Sequence, residues 1–537
     1  MRSYPIIMIV LIIGGQLAAG AWQWASGFGS QGMESAWDLA TGPSNEYFYV
    51  SGEYTDSLTV NGVSYPSNGQ SDCFIIKYSA SGQVQWVKTF GSTEGDVCLS
   101  VSADAAGNCY FTGFFSESIA LDGYFIQGAG QWDVFYGKLA PNGGLLWIKC
   151  FGGVQSDMGY GIAATDQGDF YVTGWFADTI TLSDTVSLTS YGGSDIYLIK
   201  FDTNGDPLWA RHAGTVGVEY GYKVDVDVTG SHVYITGQAS PGSNFNGITT
   251  DAMGMFVAQY DSSGNIQWVL PSCNAGAINI SADHYDPVDQ EHAVIGRVTG
   301  TGTIGNTTLN SVDGSDDIYI AWFDSFGNWT NVEHYGGPGS DKGRAIDIGS
   351  ETAELCSFAG QVDFGGTTLY GNGYWDIGIL QSQHAPISAR SVNSDVGTDI
   401  KAFGPGKFIV TGWFSGALKF GSHILDSGSE ANLDVFVAVY DRLATSVDDQ
   451  TVQVRPGLAA HPNPSFGGFT IEAKNSTRID VYNLRGQLVR RLQPEAENKG
   501  VGLFRWDGRD RLAQRCPAGV YLLRSDQSSS RVLLLDQ

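Results

Sequence analysis

Tyr49-Val50-Ser51-Gly52, Tyr110-Phe111-Thr112-Gly113, Tyr171-Val172-Thr173-Gly174 and Tyr234-Ile235-Thr236-Gly237 are four spellings of one phrase. It continues as Ala293-Val294-Ile295-Gly296, Ser357-Phe358-Ala359-Gly360 and Ile409-Val410-Thr411-Gly412, so its glycines fall 61, 61, 63, 59, 64 and 52 residues apart. A second phrase lies between the copies: Asp72-Cys73-Phe74-Ile75, Asp133-Val134-Phe135-Tyr136, Asp195-Ile196-Tyr197-Leu198, Asp317-Ile318-Tyr319-Ile320, Asp376-Ile377-Gly378-Ile379 and Asp434-Val435-Phe436-Val437. In the fourth copy Gly254 takes the aspartate's place. A third phrase is a turn leading into tryptophan, as in Ser81-Gly82 to Trp86, Asn142-Gly143 to Trp147 and Asn204-Gly205 to Trp209. Each unit holds four apolar runs of strand length, separated by Gly/Asp/Asn turns and free of helical periodicity. In the second unit they are Cys98–Ala103, Cys109–Phe115, Val134–Leu139 and Leu145–Phe151. Four antiparallel strands repeated seven times predict a seven-bladed β-propeller, a fold that limits exposed sheet edges by radial closure.

The ends of the repeat predict how the ring closes. The seventh unit stops after its third strand, Val435–Tyr440, and lacks a tryptophan strand. The missing piece stands at the other end, where Gln23-Trp24-Ala25-Ser26-Gly27-Phe28-Gly29-Ser30 aligns with Gln85-Trp86-Val87-Lys88-Thr89-Phe90-Gly91-Ser92. Composition agrees with an all-β chain: of 537 residues 72 are Gly and only 16 Pro, and 42% are apolar. So much glycine would weaken helices throughout, and the absence of a Gly-X-Y period excludes collagen.

The formal charge is −27, yet from Thr445 onward the balance is +3, leaving −30 on the rest. So acidic a body repels phosphate backbones, which argues against a nucleic-acid partner. Arg2, the apolar run Ile6–Ile13 and the small residues Ala18-Ala19-Gly20-Ala21 read as a secretory signal over residues 1–21. The mature chain is expected to begin near Trp22 and to carry no transmembrane segment. The seven cysteines do not recur at equivalent positions, so a shared disulfide framework is not expected; their odd number leaves at least one unpaired within the monomer.

The propeller repeats, with their Asp-x-[Phe/Tyr]-[Ile/Val], Gly-x-x-x-Trp, Gly-Gly and Tyr-Val-Thr-Gly elements, resemble the bacterial extracellular SBBP-type β-propeller repeats over roughly residues 22–442. That resemblance implies a fold and leaves the activity open. A polar linker at 443–455 follows. Strand-like runs at Phe469–Ala473, Arg478–Tyr482, Gln487–Leu492, Gly502–Trp506, Gly519–Arg524 and Arg531–Leu535 then predict a small β-sandwich over 456–537. Pro462-Asn463-Pro464, Ile479-Asp480-Val481-Tyr482-Asn483-Leu484-Arg485-Gly486, Trp506-Asp507-Gly508-Arg509-Asp510, Ala518-Gly519-Val520-Tyr521 and Val532-Leu533-Leu534-Leu535 resemble a type A C-terminal sorting domain. The resemblance implies recognition by the type IX secretion machinery of a Gram-negative bacterium, and a secreted or outer-surface location.

In a propeller the fourth-to-first and second-to-third connections emerge on one face. Here the former carry Glu94, Asp157, Glu219, Asp341 and Asp395, and the latter are aromatic-bearing at Phe114-Phe115, Trp175-Phe176 and Trp413-Phe414. Two readings stand for the acids: a ring that binds a ligand or a divalent cation, with Trp175 and Trp413 stacking on sugars, or carboxylates that cap turn backbone. The Asp72 series reads as structural. The fifth unit breaks symmetry with His284-Tyr285-Asp286-Pro287-Val288-Asp289-Gln290-Glu291-His292. His284, Asp286 and His292 are metal-ligand types, and a solvated polar turn is the competing reading. No nucleophile elbow, P-loop, dinucleotide fingerprint or Cys-x-x-Cys pair occurs, and no cofactor is called for. These features predict a non-enzymatic binding propeller that takes a glycan or protein ligand on its loop-bearing face, cell–cell adhesion being one such role. The alternative is a carbohydrate-active hydrolase or lyase with acids in the channel, which would need two carboxylates in unlike environments.

Overall fold

A computed structural model describes residues 21–534 apart from 228, 282–290, 349–351, 372–373, 382–385, 390–392, 445–457, 462–468, 475–477, 484–486, 495, 499–500, 512–513 and 526–528. All but the last residue of the expected leader (1–21), most of the expected linker, and His284 and Asp286 thus lie outside the described residues. The chain divides into two compact units, Met1–Thr445 and Ser446–Gln537. Among the described residues no helix is long and apolar enough to cross a membrane. All seven cysteines are free thiols, five of them buried.

The first unit is a seven-bladed propeller of antiparallel sheets. In the second blade Val97–Ala103, Cys109–Phe115, Asp133–Leu139 and Leu145–Phe151 pair in sequence order. The second and third strands are buried almost throughout because neighbouring blades cover both faces, which is why they read as continuous apolar runs. The last blade takes Asp395–Ala402, Lys407–Phe414 and Asp434–Asp441, with Ala21–Phe28 from the other end of the chain as its fourth strand. There Trp24 faces Val439, the register in which Trp86 faces Lys77 in the first blade. The fourth and fifth blades share one unbroken strand, Ile266–Ser281, and so form a single hydrogen-bonded sheet. The second-to-third connections are themselves β-hairpins, such as Ser57–Val60 with Val63–Pro66 and Ser118–Leu121 with Tyr124–Gln127.

The glycine of the repeating phrase has a steric cause. In every blade the innermost strand carries a β-bulge, where the register slips between Ala36 and Asp38, Cys98 and Ser100, Gly159 and Gly161, Gly221 and Lys223, Ala277 and Asn279, Gly343 and Ala345, and Gly397 and Asp399. At the bulge a first-strand carbonyl faces the second strand. A Cβ on Gly113 would collide with the Val97 oxygen, on Gly174 with that of Met158 and on Gly412 with that of Val396. The register also corrects the sixth copy of the phrase: Cys356, not Gly360, occupies the glycine's place opposite Gly343. Its thiol fits because Gly378 stands across from it, where the second and third blades have Phe135 and Tyr197. The bulk has moved from one strand to its neighbour.

The tryptophan phrase builds the joints between blades. Trp24 covers Gly82, Trp86 covers Gly143, Trp147 covers Gly205, Trp209 covers Gly264 and Trp268 covers Gly327, each glycine lying in the last hairpin of the next blade. Gly143 and Gly205 are left-handed there (φ 84° and 76°), a conformation glycine adopts without penalty. The indoles of Trp86, Trp209 and Trp268 donate to the Pro141, Ser262 and Ser325 carbonyls at 3.1 Å. Trp24 therefore makes across the chain ends the packing its homologues make within the chain. Leu39 N–H donating to Asp399 at 2.9 Å joins the same two blades along the channel.

The second unit holds two four-stranded sheets. One orders Leu458–His461, Phe469–Lys474, Val501–Trp506 and Ala496–Asn498; the other orders Leu488–Leu492, Ile479–Tyr482, Gly519–Arg524 and Ser529–Leu534. Its core gathers Phe469, Ile471, Ile479, Val481, Phe504, Trp506, Tyr521 and Leu523. Trp506 stacks on Phe469 and meets Tyr521 edge-on, with its indole bonded to the Arg509 carbonyl at 2.8 Å. The Trp506-to-Asp510 motif is thus a packed strand end and its turn. Leu458–His461 and Ala496–Asn498 add two strands to the six expected from the sequence.

Candidate functional site

The expected ring of open carboxylates is not what faces the solvent. Asp157, Glu219, Asp341 and Asp395 are completely buried. Asp157 accepts the Gly153 N–H at 2.7 Å, Glu219 that of Thr215 at 2.7 Å and Asp341 that of Gly337 at 2.8 Å. Each spans four residues and closes the turn that enters the first strand. Glu94 does not belong to the series: it is half-exposed and accepts from Gln70 at 2.7 Å, while Asp96 makes the equivalent four-residue cap to Ser92. Glu34 completes the set in the first blade, and the Asp72 series stands against it. Beside Gly29, Asp434 and Glu34 come within 2.6 and 2.9 Å of where a Cβ would lie; beside Gly91 and Gly214, Asp72 with Asp96 and Asp195 with Glu219 close in likewise. Any side chain at these glycines would strike a carboxylate. Burial pushes Glu34 up to about 8, Asp157, Asp195, Asp341 and Asp434 up to about 7, and Asp96 up to about 6. The capping reading of the acids is the one the geometry supports, and the ligand-binding ring is set aside.

His292 is likewise a core residue. It is buried, with Nε2 3.0 Å from the Tyr234 hydroxyl and its ring packed against Tyr234 and Phe323. Burial holds it neutral, down at about 4. Among the described residues no group of three metal-ligating side chains comes together.

What opens at the mouth is a cavity of 560 Å³ lined by residues from the bulges and from the positions after the phrase's glycines. Trp37, Leu99, Tyr160, Tyr222, Arg344 and Thr398 are the bulge residues of six innermost strands, and Glu53, Phe114, Gln238 and Arg297 follow Gly52, Gly113, Gly237 and Gly296. An extra residue in a strand turns its side chain out of the pleat, here toward the channel. The first four blades give an aromatic wall. Tyr160 meets Tyr222 edge-on at 5.7 Å, Tyr220 stacks along Tyr222, and Trp175 meets Tyr220 at 5.8 Å, so this predicted tryptophan buttresses the wall from behind. Trp413 is half-buried at the end of its strand, opposite Val396 and Val435, and takes no part in lining the cavity. Phe114 thus stands at the end of its strand and Trp175 inside the continuous strand Phe170–Ser183, neither in a connecting loop.

The fifth and sixth blades give a cationic wall. Arg297 Nη1 lies 3.0 Å and Lys342 Nζ 3.4 Å from the same oxygen of Asp316. Arg344 donates to Ser357 Oγ at 3.3 Å, and both Lys342 and Arg344 lie over the ring of Trp375. Burial and the repulsion of Arg297 push Arg344 down to about 10, still charged at neutral pH. The lining holds one carboxylate, Glu53, which accepts from the Trp37 indole at 3.3 Å and is raised by burial.

Deeper in the channel Asp38 and Asp399 form a pair in unlike states. Lys223 (2.5 Å) and Ser100 keep Asp38 ionised and lowered, whereas burial and Asp38 itself push Asp399 up to about 7. Both are almost wholly buried, and each accepts a backbone N–H of the next blade, Val101 and Leu39 respectively. Their place is the joint between blades.

Residues 465–530 match the FlgD Ig-like domain family. The chain is 27% identical over 188 residues to the uncharacterized WD repeat-containing protein L264 of Acanthamoeba polyphaga mimivirus, covering 28% of this chain and 14% of that protein. It is 27% identical over 190 residues to the regulatory protein FlaEY of Caulobacter vibrioides, covering 34% and 19%. The matched stretch spans less than a fifth of either curated relative. Among solved structures, the Pan2 WD40 domain of Neurospora crassa is similar at 8% identity and a TM-score of 0.39, over 79% of this chain and 96% of that one.

Proposed function

We propose that the protein is a non-enzymatic propeller that binds a glycan through its mouth. The carrying observation is the aromatic wall: Trp37, Phe114, Tyr160 and Tyr222 present half-open rings to one cavity, the surface on which sugar rings stack. Retention rather than cleavage is favoured by the lining, in which Glu53 is the one carboxylate among the described residues, whereas glycoside hydrolysis uses two flanking the bond. The unlike pair Asp38 and Asp399 supports a hydrolase less well, since both are committed to holding neighbouring blades. Export completes the reading: the leader-like start at Arg2 to Ala21 and the five ordered motifs of the C-terminal sandwich support secretion or surface display by a type IX pathway, with the sandwich as its sorting domain.

The full chain, incubated with immobilised neutral and acidic polysaccharides with and without chelator, is expected to be retained and to release no new reducing ends. Release of product would replace the binding reading with the hydrolase or lyase. Failure to bind any polysaccharide would direct the search to a surface protein as ligand. Deleting residues 446–537 is expected to leave the chain inside the producing cell; unchanged release would overturn the sorting role.

A further inference from the structure

The mouth is divided by charge, and the division is at odds with the rest of the molecule. On a chain of net charge −27, Arg297, Lys342 and Arg344 converge on one wall, where Arg297 and Lys342 pair with one carboxylate, Asp316, and Arg344 bonds Ser357. The local excess is therefore positive where the surroundings are acidic. Arg344 is the sharper case, because it occupies the bulge position that four other blades fill with Trp37, Leu99, Tyr160 and Tyr222. Ser357 and the Trp375 ring hold the guanidinium there, but Asp316 is already engaged by Arg297 and Lys342, so three cations stand against one anion and a further anion would relieve their repulsion. The wall also shows what kind of anion fits. Asp316, itself a carboxylate, already lies between Arg297 and Lys342 at 3.0 and 3.4 Å, and the planar fork of a guanidinium pairs with both oxygens of such a group.

Resting on the glycan-binding reading above, we infer that the ligand is a uronate-bearing polysaccharide, its sugar rings lying on Tyr160 and Tyr222 and its carboxylates meeting Arg344, Arg297 and Lys342 across the mouth. The net −30 of the residues before Thr445 then acts as a filter: an anionic polymer is repelled by the propeller as a whole and drawn to this wall, which makes binding sensitive to salt.

The test measures binding of the full chain, in EDTA so that no cation bridges acid to acid, to polygalacturonate, to its fully methyl-esterified form and to dextran sulfate. Polygalacturonate is expected to bind at least tenfold more tightly than its ester, and the preference to shrink as salt rises. Arg344→Gln and the more exposed Arg297→Gln should each remove most of that preference, weakening acid binding far more than ester binding, and Arg344→Lys should restore part of it. Equal binding of acid and ester, both weakened by Tyr160→Ala, would overturn the uronate assignment and leave the glycan mouth standing. Tighter binding of dextran sulfate would overturn carboxylate selectivity. Acid binding untouched by either arginine substitution would place the interaction elsewhere, and no binding of any of the three by the folded chain would remove both readings.

Discussion

Trp24→Ala tests whether the ring is sealed by the first strand. Trp24 is half-buried, stacks near Phe48 (6.2 Å) and Tyr78 (6.5 Å), and covers Gly82 of the first blade from its seat in the last. A buried Trp hides ~150–250 Å², so half of that is roughly 100 Å², or about 2.5 kcal/mol at ~25 cal/mol per Å². The stacked pairs add ~0.5–1.5 kcal/mol. Truncation should therefore cost about 3 kcal/mol, within the range of ~3–5 kcal/mol for emptying an aromatic site. Trp86→Ala, the same position inside the chain, covers Gly143 and packs on Tyr49, and should cost as much to within about 1 kcal/mol. Denaturant unfolding of the two variants and the parent, followed by far-UV dichroism, gives the comparison. A silent Trp24→Ala beside a damaging Trp86→Ala would show that the first strand does not belong to the last blade, and the closure argument would fail.

Gly174→Ala should destabilise the third blade by more than ~3 kcal/mol, since its Cβ would drive into the Met158 carbonyl and backbone must move; a melting temperature within a few degrees of the parent's would refute the bulge explanation. Gly378→Phe, which restores the common aromatic but leaves Cys356 in place, should be as damaging, and Cys356→Gly should partly rescue it, read from the same melts. The paired carboxyls set the pH response: a carboxyl that holds its proton more tightly folded than unfolded contributes stability that is lost as pH rises through the folded value. Lowering pH from about 8 to about 6.5 should thus raise the urea midpoint, through Glu34, Asp157, Asp195, Asp341 and Asp434. Below about 6.5 the neutral buried His292 opposes the gain, because it must take up a proton on unfolding. A midpoint that rises between pH 6.5 and 8 would contradict this. Tyr222→Ala should weaken polysaccharide binding about tenfold, near ~1.4 kcal/mol; equal affinity by calorimetry would remove the aromatic wall from the site.

The ring was legible in the sequence because each phrase has one steric cause repeated in most blades. The bulge demands glycine, the hairpin turn demands a left-handed residue, and the indole demands that turn as its seat. Such demands recur at a fixed period, and Trp24 could be placed by alignment alone. Asp157, Glu219, Asp341 and Asp395 each stand two residues before a glycine, but in the second blade Cys98 takes that glycine's place, so Glu94 beside Gly95 was chosen although Asp96 makes the cap. Gly360 misled in the same way, since it follows the strand in which Cys356 has taken the glycine's place. The aromatic wall did leave a trace: Trp37, Leu99, Tyr160, Tyr222, Arg344 and Thr398 all follow a small residue near the start of a first strand. Reading that position down the copies would have exposed Arg344 as the odd one. The cationic wall had no such trace, because Arg297 and Lys342 belong to different repeats and meet only through the curvature of the ring.

The unbroken strand Ile266–Ser281 also has a mechanical consequence. Elsewhere successive blades are joined by a turn, by side-chain packing and by single backbone hydrogen bonds such as Asp96 N–H to the Ser71 carbonyl; here one strand carries β-pairing from one sheet into the next. This seam is therefore expected to breathe less than the other six, tying the sector that carries Arg297 to the fourth blade.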